Sequence, residues 1–434
     1  MITSCVFSAS AVRLLHRCSV GRGTSWFFRP QQRQRQTTSQ PWVIPPARTC
    51  AVLVSRSAAT MAAAARAPAR IGDPVSDIDT PALVVDLEKL QTNLKIMPES
   101  MSSFGSVAVR PHAKAHKCAT LALLQVSHGA VGMCAQTLTE AEAMVYGGVQ
   151  DVLVSNQIIG HSKLLRFATL AHHAKMTVCV DNEDNIRELS SVAKELNVTI
   201  GAVVEVNVGQ DRCGVEPGPE VPRLAKLIQE LPNLTFAGVQ CYQGLNQHVR
   251  KASDRQAATD SVVEKSKIAL KALEDAGIKC DYVTGGGTGT YLYEAASGVF
   301  TEVQPGSYVF MDADYGRNFG EDGQPVHQFH QSLFVLTTVQ SVTAGSRAVV
   351  DAGMKAVSLD SGEPLVYPTG DVIYNCGGDE HGILRPPSNY KVGDKVWLIP
   401  GHCDPTVNLY DWMVGVRNNK VEALWPITGR GPGI

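Results

Sequence analysis

The chain has 434 residues, which is too long for one small domain and fits a large barrel followed by a second unit. Its net charge of −2 is unevenly distributed: the first 72 residues carry ten arginines and no lysine or acid, and the rest carries 29 basic against 41 acidic residues. A net charge of −12 beyond residue 72 argues against nucleic acid as a partner, and the lack of an 18-residue apolar run argues against a membrane span.

Residues 1–72 have the composition of an organelle transit peptide, rich in Arg, Ser, Thr and Ala, and the first acidic residue is Asp73. We expect this leader to be disordered or removed, and the protein to reside in a chloroplast or mitochondrion. Met61 is an alternative start for a shorter product. The cysteines beyond the leader lack C-x-x-C spacing and lie mostly in apolar runs, which predicts buried thiols in a reducing compartment.

Between residues 107 and 303, short apolar runs alternate with amphipathic stretches. This alternation predicts a parallel α/β sheet, and eight repeats favour a closed (β/α)8 TIM barrel over residues 73–315, with an open doubly wound sheet as the alternative. The predicted strands are Val107–Arg110, Val131–Ala135, Asp151–Ser155, Met176–Asp181, Ile200–Asn207, Leu234–Cys241, Asp281–Thr284 and Thr301–Val303. The predicted helices include Leu138–Tyr146, Asn182–Leu196, Val221–Leu231 and Asp254–Ala276.

After Asp312 the helical period disappears. Short apolar runs separated by turn sequences, such as Arg417–Lys420, predict an all-β domain over residues 316–434. The apolar run Pro81–Asp86 precedes the barrel and is a candidate to pair with this β domain.

The segment Arg110–Lys117 reads Arg-Pro-His-Ala-Lys-Ala-His-Lys. If it is a strand, His112, Lys114 and His116 share one face with Arg110, because strand side chains alternate with period two. Burial beside other cations would lower the pKa of Lys114, as suits an amine that attacks a carbonyl. The alternatives are an exposed basic edge strand and a metallohydrolase with two histidine ligands.

A second candidate feature is the glycine-rich segment Thr284–Thr290, which follows a predicted strand. Glycines allow backbone N–H groups to surround an anion, so the segment suits a phosphate, although a plain turn explains it equally well. Arg212 and Tyr242 follow other predicted strands. Arg212 is suited to a phenolate or carboxylate, and the alternatives are a surface arginine and a core tyrosine.

The third feature is Pro-Gly-His402-Cys-Asp404-Pro near the C-terminus. In an extended segment the imidazole and the carboxylate point the same way, and together they suit Mn, Zn, Co or Mg. A histidine hydrogen-bonded to a turn aspartate is the alternative. His381 is a candidate further ligand or proton donor.

With these residues the chain resembles the family of D-threonine aldolases and D-serine dehydratases, fold-type III pyridoxal 5'-phosphate enzymes related to alanine racemase. The resemblance extends from Asp79 to the C-terminus, and its most specific segments are Arg110–Lys117, Gly286–Thr288, Glu302–Asp312 and Pro400–Thr406. It implies that Lys114 binds the cofactor covalently, that the phosphate contacts Gly286, Gly287 and Thr288, that Arg212 and Tyr242 face the cofactor, and that His402 and Asp404 bind a divalent metal. His116 or His381 is the candidate base.

Within this family, the residue two positions after the metal-binding histidine separates two reactions. A cysteine is expected in D-serine dehydratases and an aspartate in D-threonine aldolases, so His402-x-Asp404 favours the aldolase. The substrate is then a small D-amino acid, D-threonine or another D-β-hydroxy-α-amino acid such as D-3-hydroxyaspartate. The resemblance also implies a homodimer. The chain departs from the family at Ala115, where threonine is usual.

Overall fold

The computed structural model describes residues 67–387 and 389–433, all within one compact unit that spans Ala65–Ile434. The predicted leader therefore lies outside the described residues, except for its last six. Those six residues pack against the β domain: Ala69 is buried, and the amide of Gly72 donates to the carbonyl of Val421 at 2.8 Å. Packing therefore begins a few residues before the predicted boundary at residue 72, because the first acidic residue marks a change in charge and not the start of packing.

The first strand and helix of the chain are β1, Ala82–Asp86, and α1, Leu87–Met101. The strand is buried along nearly its whole length. The carboxylate of Asp86 accepts from the amides of Glu88 and Lys89, both at 3.1 Å, and so caps the helix at its first turn.

Eight parallel strands then form the barrel, as the alternating pattern predicts. They pair in the order β2-β9-β8-β7-β6-β5-β4-β3, and an isolated parallel bridge between His112 and Cys134 connects the two ends of this order. The strands are β2 Ala108–Val109, β3 Met133–Ala135, β4 Asp151–Val154, β5 Lys175–Val180, β6 Ile200–Glu205, β7 Leu234–Cys241, β8 Val283–Gly285 and β9 Glu302–Val303.

Helices alternate with these strands and pack their apolar faces against the sheet, which buries a continuous Val-, Leu- and Ile-rich core. Each of the four predicted helices is present. The helices of this part are α2 Ala119–Ser127, α3 Leu138–Tyr146, α4 His161–Leu170, α5 Glu183–Glu195, α6 Glu220–Glu230, α7 Ala252–Asp275 and α8 Tyr291–Ala296. Among the described residues no helix is long and apolar enough to cross a membrane.

The C-terminal part is mostly β, as predicted, with one short helix, α9 Cys403–Val407. Its strands are β10 Leu333–Thr343, β11 Arg347–Val350, β12 Leu365–Tyr367, β13 Ile373–Cys376, β14 Gly382–Arg385, β15 Lys395–Ile399, β16 Trp412–Arg417 and β17 Lys420–Pro426.

Strand β1 lies in the centre of this second sheet, antiparallel to β10 and parallel to β16. The predicted pairing of Pro81–Asp86 with the β domain is therefore confirmed. It also corrects the predicted barrel range of 73–315, because the first strand in that range belongs to the β domain. The β domain thus combines an N-terminal strand with the C-terminal part of the chain.

The barrel and the β domain meet along a short stretch of paired backbone. The amide of Ala313 donates to the carbonyl of Pro400 at 2.9 Å, and the amide of Asp314 donates to that of Gly401 at 3.1 Å. The carboxylate of Asp312 accepts from the amide of Cys403 at 2.9 Å. These bonds hold the segment that follows the last barrel strand against the start of α9.

Candidate active site

Lys114 lies in a short 3-10 turn, Ala113–Ala115, that follows the barrel strand β2. The prediction that the whole segment is a strand with period-two side chains is therefore wrong. The turn is stabilised at its start, where Nδ1 of His112 accepts from the amide of Lys114 at 3.3 Å, and at its end, where the amide of His116 donates to the carbonyl of Ala113 at 3.0 Å. The turn presents the lysine side chain to Asp404 of the β domain.

The Nζ atom of Lys114 lies 2.5 Å from Oδ2 of Asp404, which comes from α9 in the β domain. The two sequence motifs, 290 positions apart, therefore meet in one site. Burial lowers the pKa of Lys114, but the charge of Asp404, followed by Tyr242, outweighs burial, and the net shift is upward. The sequence-based expectation of a lowered pKa is thus wrong for the cofactor-free chain, because it could not include a carboxylate from the other end of the sequence.

His402 and Asp404 lie at the start of α9, with His402 as the N-cap residue in extended conformation and Asp404 in the first helical turn. The segment is therefore not extended throughout, but Nε2 of His402 and Oδ2 of Asp404 are 3.8 Å apart. Nδ1 of His402 lies 2.7 Å from Oδ2 of Asp360, a residue that sequence reasoning missed. This contact fixes the imidazole ring with Nε2 towards Asp404.

This donor set fits a divalent metal. One imidazole nitrogen and one carboxylate oxygen are ligands for Mn, Zn or Co, and a carboxylate that holds the far ring nitrogen is the usual outer partner of a metal-binding histidine. Within the described residues, no group of three or more His, Cys, Asp or Glu side chains is arranged to hold a metal. Two protein ligands, His402 and Asp404, would leave positions on a bound metal for water or substrate.

His381 lies on the exposed turn between β13 and β14, where its carbonyl accepts from the amide of Gly377 at 2.8 Å. The contacts described for Lys114, His402 and Asp404 do not include it. Its role as a ligand or proton donor therefore stays a prediction without geometric support.

His116 is fully buried, and both of its ring nitrogens have partners. Nε2 lies 3.0 Å from Oε1 of Gln125, and Nδ1 accepts from the amide of Cys118 at 3.1 Å. Burial lowers the pKa of His116 to about 3, despite the opposing hydrogen bond to Gln125, so the ring is neutral near pH 7. These contacts favour a structural role over the predicted role as a base.

The glycine segment after β8 forms a tight buried loop. Gly286 has a φ of +69°, and a Cβ at this position would lie 2.9 Å from the carboxyl carbon of Glu294. A Cβ at Gly287 would lie 2.6 Å from Oε1 of Gln247. Side chains are thus excluded at both positions, which keeps the backbone accessible from the other side.

The amides of Gly286, Gly287 and Thr288 are buried, yet among the described residues none has a backbone or side-chain acceptor. Buried N–H groups without a partner are rare and costly, so they indicate a site that an anion completes. The Thr288 hydroxyl is already engaged, since it accepts from the amide of Tyr308 at 3.1 Å. The loop therefore fits the phosphate of pyridoxal phosphate through its backbone.

Arg212 and Tyr242 are neighbours, with the guanidinium carbon of Arg212 5.9 Å from the centre of the Tyr242 ring. Tyr242 in turn acts electrostatically on Lys114. The two residues predicted to face the cofactor are therefore neighbours of each other, and Arg212 is exposed.

A further histidine, His248, was not predicted. It ends the 3-10 turn Leu245–His248, its Nδ1 contacts the carboxylate of Asp314, and its ring centre lies 5.4 Å from that of Tyr315. Arg250 binds the same carboxylate. Contacts with His248 and Arg250 lower the pKa of Asp314 to about 2, against the opposing effect of burial. A lone histidine in a loop carries no sequence signal, because its carboxylate partner is distant in the chain.

Comparison with known proteins places this geometry in a family. The alanine racemase N-terminal domain family matches residues 85–314, and a serine dehydratase domain family matches residues 332–416. The 3-hydroxy-D-aspartate aldolase of Paracoccus denitrificans (strain Pd 1222) is 45% identical over 84% of this chain and 96% of its own length. The D-threonine aldolase of an Arthrobacter species is 42% identical with the same coverage of both chains.

The crystal structure of D-threonine aldolase from Filomicrobium marinum superimposes with a TM-score of 0.81 at 43% identity, covering 84% of this chain and 99% of that one. The chain belongs to the D-threonine aldolase family of alanine-racemase-fold enzymes. As a member of this family it is a carbon–carbon lyase that depends on pyridoxal phosphate, which confirms the resemblance seen in the sequence.

In this aldolase family member, Asp360 is expected to control metal affinity through His402. Replacing Asp360 with Asn removes the negative charge that holds Nδ1 of His402 at 2.7 Å. We expect the dissociation constant for Mn²⁺ to rise roughly 10–100-fold, the usual effect of losing an outer partner of a metal-binding histidine. Titration with Mn²⁺ monitored by electron paramagnetic resonance measures this, with Asp379→Asn on the exposed turn as the control; equal affinities in the two variants would contradict it.

Proposed function

We propose that the protein is a D-threonine aldolase that cleaves D-threonine and other D-β-hydroxy-α-amino acids to glycine and an aldehyde, with pyridoxal phosphate and a divalent metal. The observation that supports this most strongly is the 2.5 Å contact between Nζ of Lys114 and Oδ2 of Asp404, next to His402. It brings the cofactor-binding lysine and the metal-binding pair within reach of one small substrate.

Pyridoxal phosphate would be held covalently by Lys114, with its phosphate on the backbone of Gly286–Thr288 and its phenolic oxygen facing Arg212. When bound, the cofactor supplies an electron sink for the pair released as a bond at Cα breaks. Tyr242, which neighbours Arg212, would help to hold the cofactor. The unpartnered loop amides support this arrangement.

His402 and Asp404 would hold the metal, which acts as a Lewis acid that makes the β-hydroxyl proton easier to remove. The chain offers His248 to accept that proton. Its Nδ1 lies against the carboxylate of Asp314, and the amide of Asp314 donates to the carbonyl of Gly401, next to His402, at 3.1 Å. His248 is half-buried, whereas His116 is fully buried with both ring nitrogens occupied and His381 lies on an exposed turn, so we assign the role to His248.

A second candidate substrate within the same reaction class is D-3-hydroxyaspartate. The 45% identical relative from Paracoccus denitrificans is named for it, and cleavage would give glycine and glyoxylate. D-serine dehydratase activity is less well supported, because the relative of that name, from Dictyostelium discoideum, is only 23% identical. The aspartate at position 404 is the residue that favours cleavage of a carbon–carbon bond.

Product analysis tests the proposal. The purified protein, loaded with pyridoxal phosphate and Mn²⁺, is incubated with D-threonine, D-3-hydroxyaspartate or D-serine, with L-threonine as the stereochemical control. We expect glycine and acetaldehyde from D-threonine, no reaction with L-threonine, and loss of turnover after chelation that added Mn²⁺ restores. Keto acid and ammonia without glycine would reject the aldolase, and full turnover after exhaustive chelation would reject the metal requirement.

We also propose that the protein is a homodimer and that its N-terminal leader directs it to a chloroplast or mitochondrion. The dimer rests on analogy with fold-type III relatives, and the leader on composition alone. Size-exclusion chromatography with light scattering tests the first proposal, and imaging of the full chain fused to a fluorescent protein tests the second.

A further inference from the structure

Lys117 is a buried cation that contacts both halves of the candidate site. Its side chain is 9% exposed, and its Nζ donates to the carbonyl of Lys114 and, at 3.2 Å, to the carbonyl of Asp404. One acceptor belongs to the barrel and the other to the β domain. The ammonium group therefore bridges the backbone of the cofactor-binding lysine and the backbone of the metal-binding aspartate.

The position of Lys117 is itself fixed from two directions. Oε1 of Glu140, in the first turn of α3, lies 4.0 Å from its Nζ. Glu140 is held in turn, because its carboxylate accepts from the amide of Gln136 at 2.7 Å. The carbonyl of Lys117 accepts from the amide of Gly429 at 3.0 Å, so the C-terminal segment holds its backbone.

The backbone of Lys117 also adopts an unusual conformation. Its φ is +52°, in the left-handed region that residues other than glycine, asparagine and aspartate seldom occupy. Such a conformation costs free energy and persists only where surrounding contacts enforce it. Burial of the side chain adds a second cost. Removing an ammonium group from water is unfavourable, and the carboxylate paired with it, that of Glu140, is as far away as 4.0 Å. These two costs indicate that Lys117 is kept for the geometry of the candidate site and not for the stability of the fold.

We infer that Lys117 is a positioning residue that sets the separation between the Lys114 amine and the Asp404 carboxylate. It holds the two carbonyls on either side of a single nitrogen atom, so the barrel segment and α9 cannot move apart without breaking one of these bonds. Lys117 thereby governs both metal affinity and the attachment of the cofactor. This inference rests on the proposed function, since it assigns the metal to Asp404.

The test replaces Lys117 with Met, which keeps the length of the side chain and removes the donor. We expect the dissociation constant for Mn²⁺ to rise about 10–100-fold, as for the loss of other outer-sphere contacts. We also expect slower appearance of the visible absorbance of bound pyridoxal phosphate when the cofactor is added to the apoenzyme. Lys117→Arg is a second variant that retains the charge, in case Lys117→Met fails to fold. It should also weaken Mn²⁺ binding, because a planar guanidinium cannot place one donor atom between the two carbonyls as an ammonium group does.

Lys395→Met is the matched control. Lys395 is a partly buried lysine whose Nζ donates to the carbonyl of Ile78 at 2.8 Å and to the hydroxyl of Thr338 at 3.0 Å, within the β domain. Its loss should lower the melting temperature and leave Mn²⁺ affinity and cofactor attachment at the wild-type values. Wild-type values of both readouts in either folded Lys117 variant would overturn the inference.

The metal assignment of the proposed function and the positioning role of Lys117 can be rejected separately. If the wild-type protein shows no saturable Mn²⁺ binding, the metal assignment of the proposed function fails, and the rate of cofactor attachment still decides the inference. An unchanged rate in Lys117→Met then rejects the positioning role, and a reduced rate with normal attachment in Lys395→Met supports it.

Discussion

Replacing Lys114 with alanine is expected to abolish the visible absorbance of bound pyridoxal phosphate and to lower kcat/KM on the order of 10⁴-fold or more. The described geometry offers no substitute amine: the adjacent Lys117 directs its Nζ to the carbonyls of Lys114 and Asp404. Removal of the amine also leaves the Asp404 carboxylate, 2.5 Å away, without its closest cation. Absorbance spectroscopy of the purified variant and single-turnover assays measure the two effects.

Lys175→Ala provides the control for this variant, because Lys175 is an exposed lysine paired with Asp151 at 3.1 Å on the barrel surface. It should retain the cofactor spectrum and the activity of the wild type. Unchanged visible absorbance in Lys114→Ala would move the cofactor attachment to another lysine. That result would also remove the main support for the proposed function.

The barrel could be predicted from sequence because its signal is local. Each strand is an apolar run, such as Lys175–Val180, and each is followed by an amphipathic helix, such as Glu183–Glu195. Two-sided burial in a parallel sheet makes such runs hydrophobic throughout, so they are visible without knowledge of the neighbouring strands. The strand Ala82–Asp86 was visible for the same reason, and its place before the barrel pattern suggested that it pairs with the β domain.

The detail of the site could not be predicted, because it depends on contacts between distant segments. The turn at Lys114 is stabilised by the side chain of His112, and nothing in the alternation of residue types distinguishes this turn from a strand. Asp360 lies 42 positions from His402, and Asp314 lies 66 positions after His248. Only the fold brings these pairs together. Residue types with strong chemical preferences could be found, but their partners could not.

The location of the site follows from how the two domains are joined. The segment Asp312–Asp314 follows the last barrel strand after a short 3-10 turn, Ser307–Val309, and pairs with residues 400–403 at the start of α9. The barrel thus supplies the lysine and the glycine loop, and the β domain supplies His402 and Asp404. Under the proposed function, the electron sink and the Lewis acid would therefore be brought together by the arrangement of the two domains.

Asp404→Asn is expected to separate these two contributions. The substitution keeps the shape of a buried side chain and removes its charge, and with it one of the two metal ligands. We expect Mn²⁺ affinity to fall by more than the roughly 100-fold that follows loss of an outer partner, and metal-dependent turnover to be lost with it. Lys114 should still bind pyridoxal phosphate, so the visible absorbance should remain. Mn²⁺ titration and absorbance spectroscopy on the same sample measure both.

The control Asp411→Asn changes a carboxylate that pairs with Arg430 outside the site, and it should leave both readouts unchanged.

The negative charge of Asp404 is maintained by its surroundings. Burial raises the pKa of Asp404, but Lys114, His402 and Lys117 together hold this pKa well below its usual range. These contacts therefore favour the ionised carboxylate, which is the form that binds a metal. If Asp404→Asn retained full turnover at low Mn²⁺, the metal would have to lie elsewhere, and Lys114 and Asp404 would form only a structural ion pair.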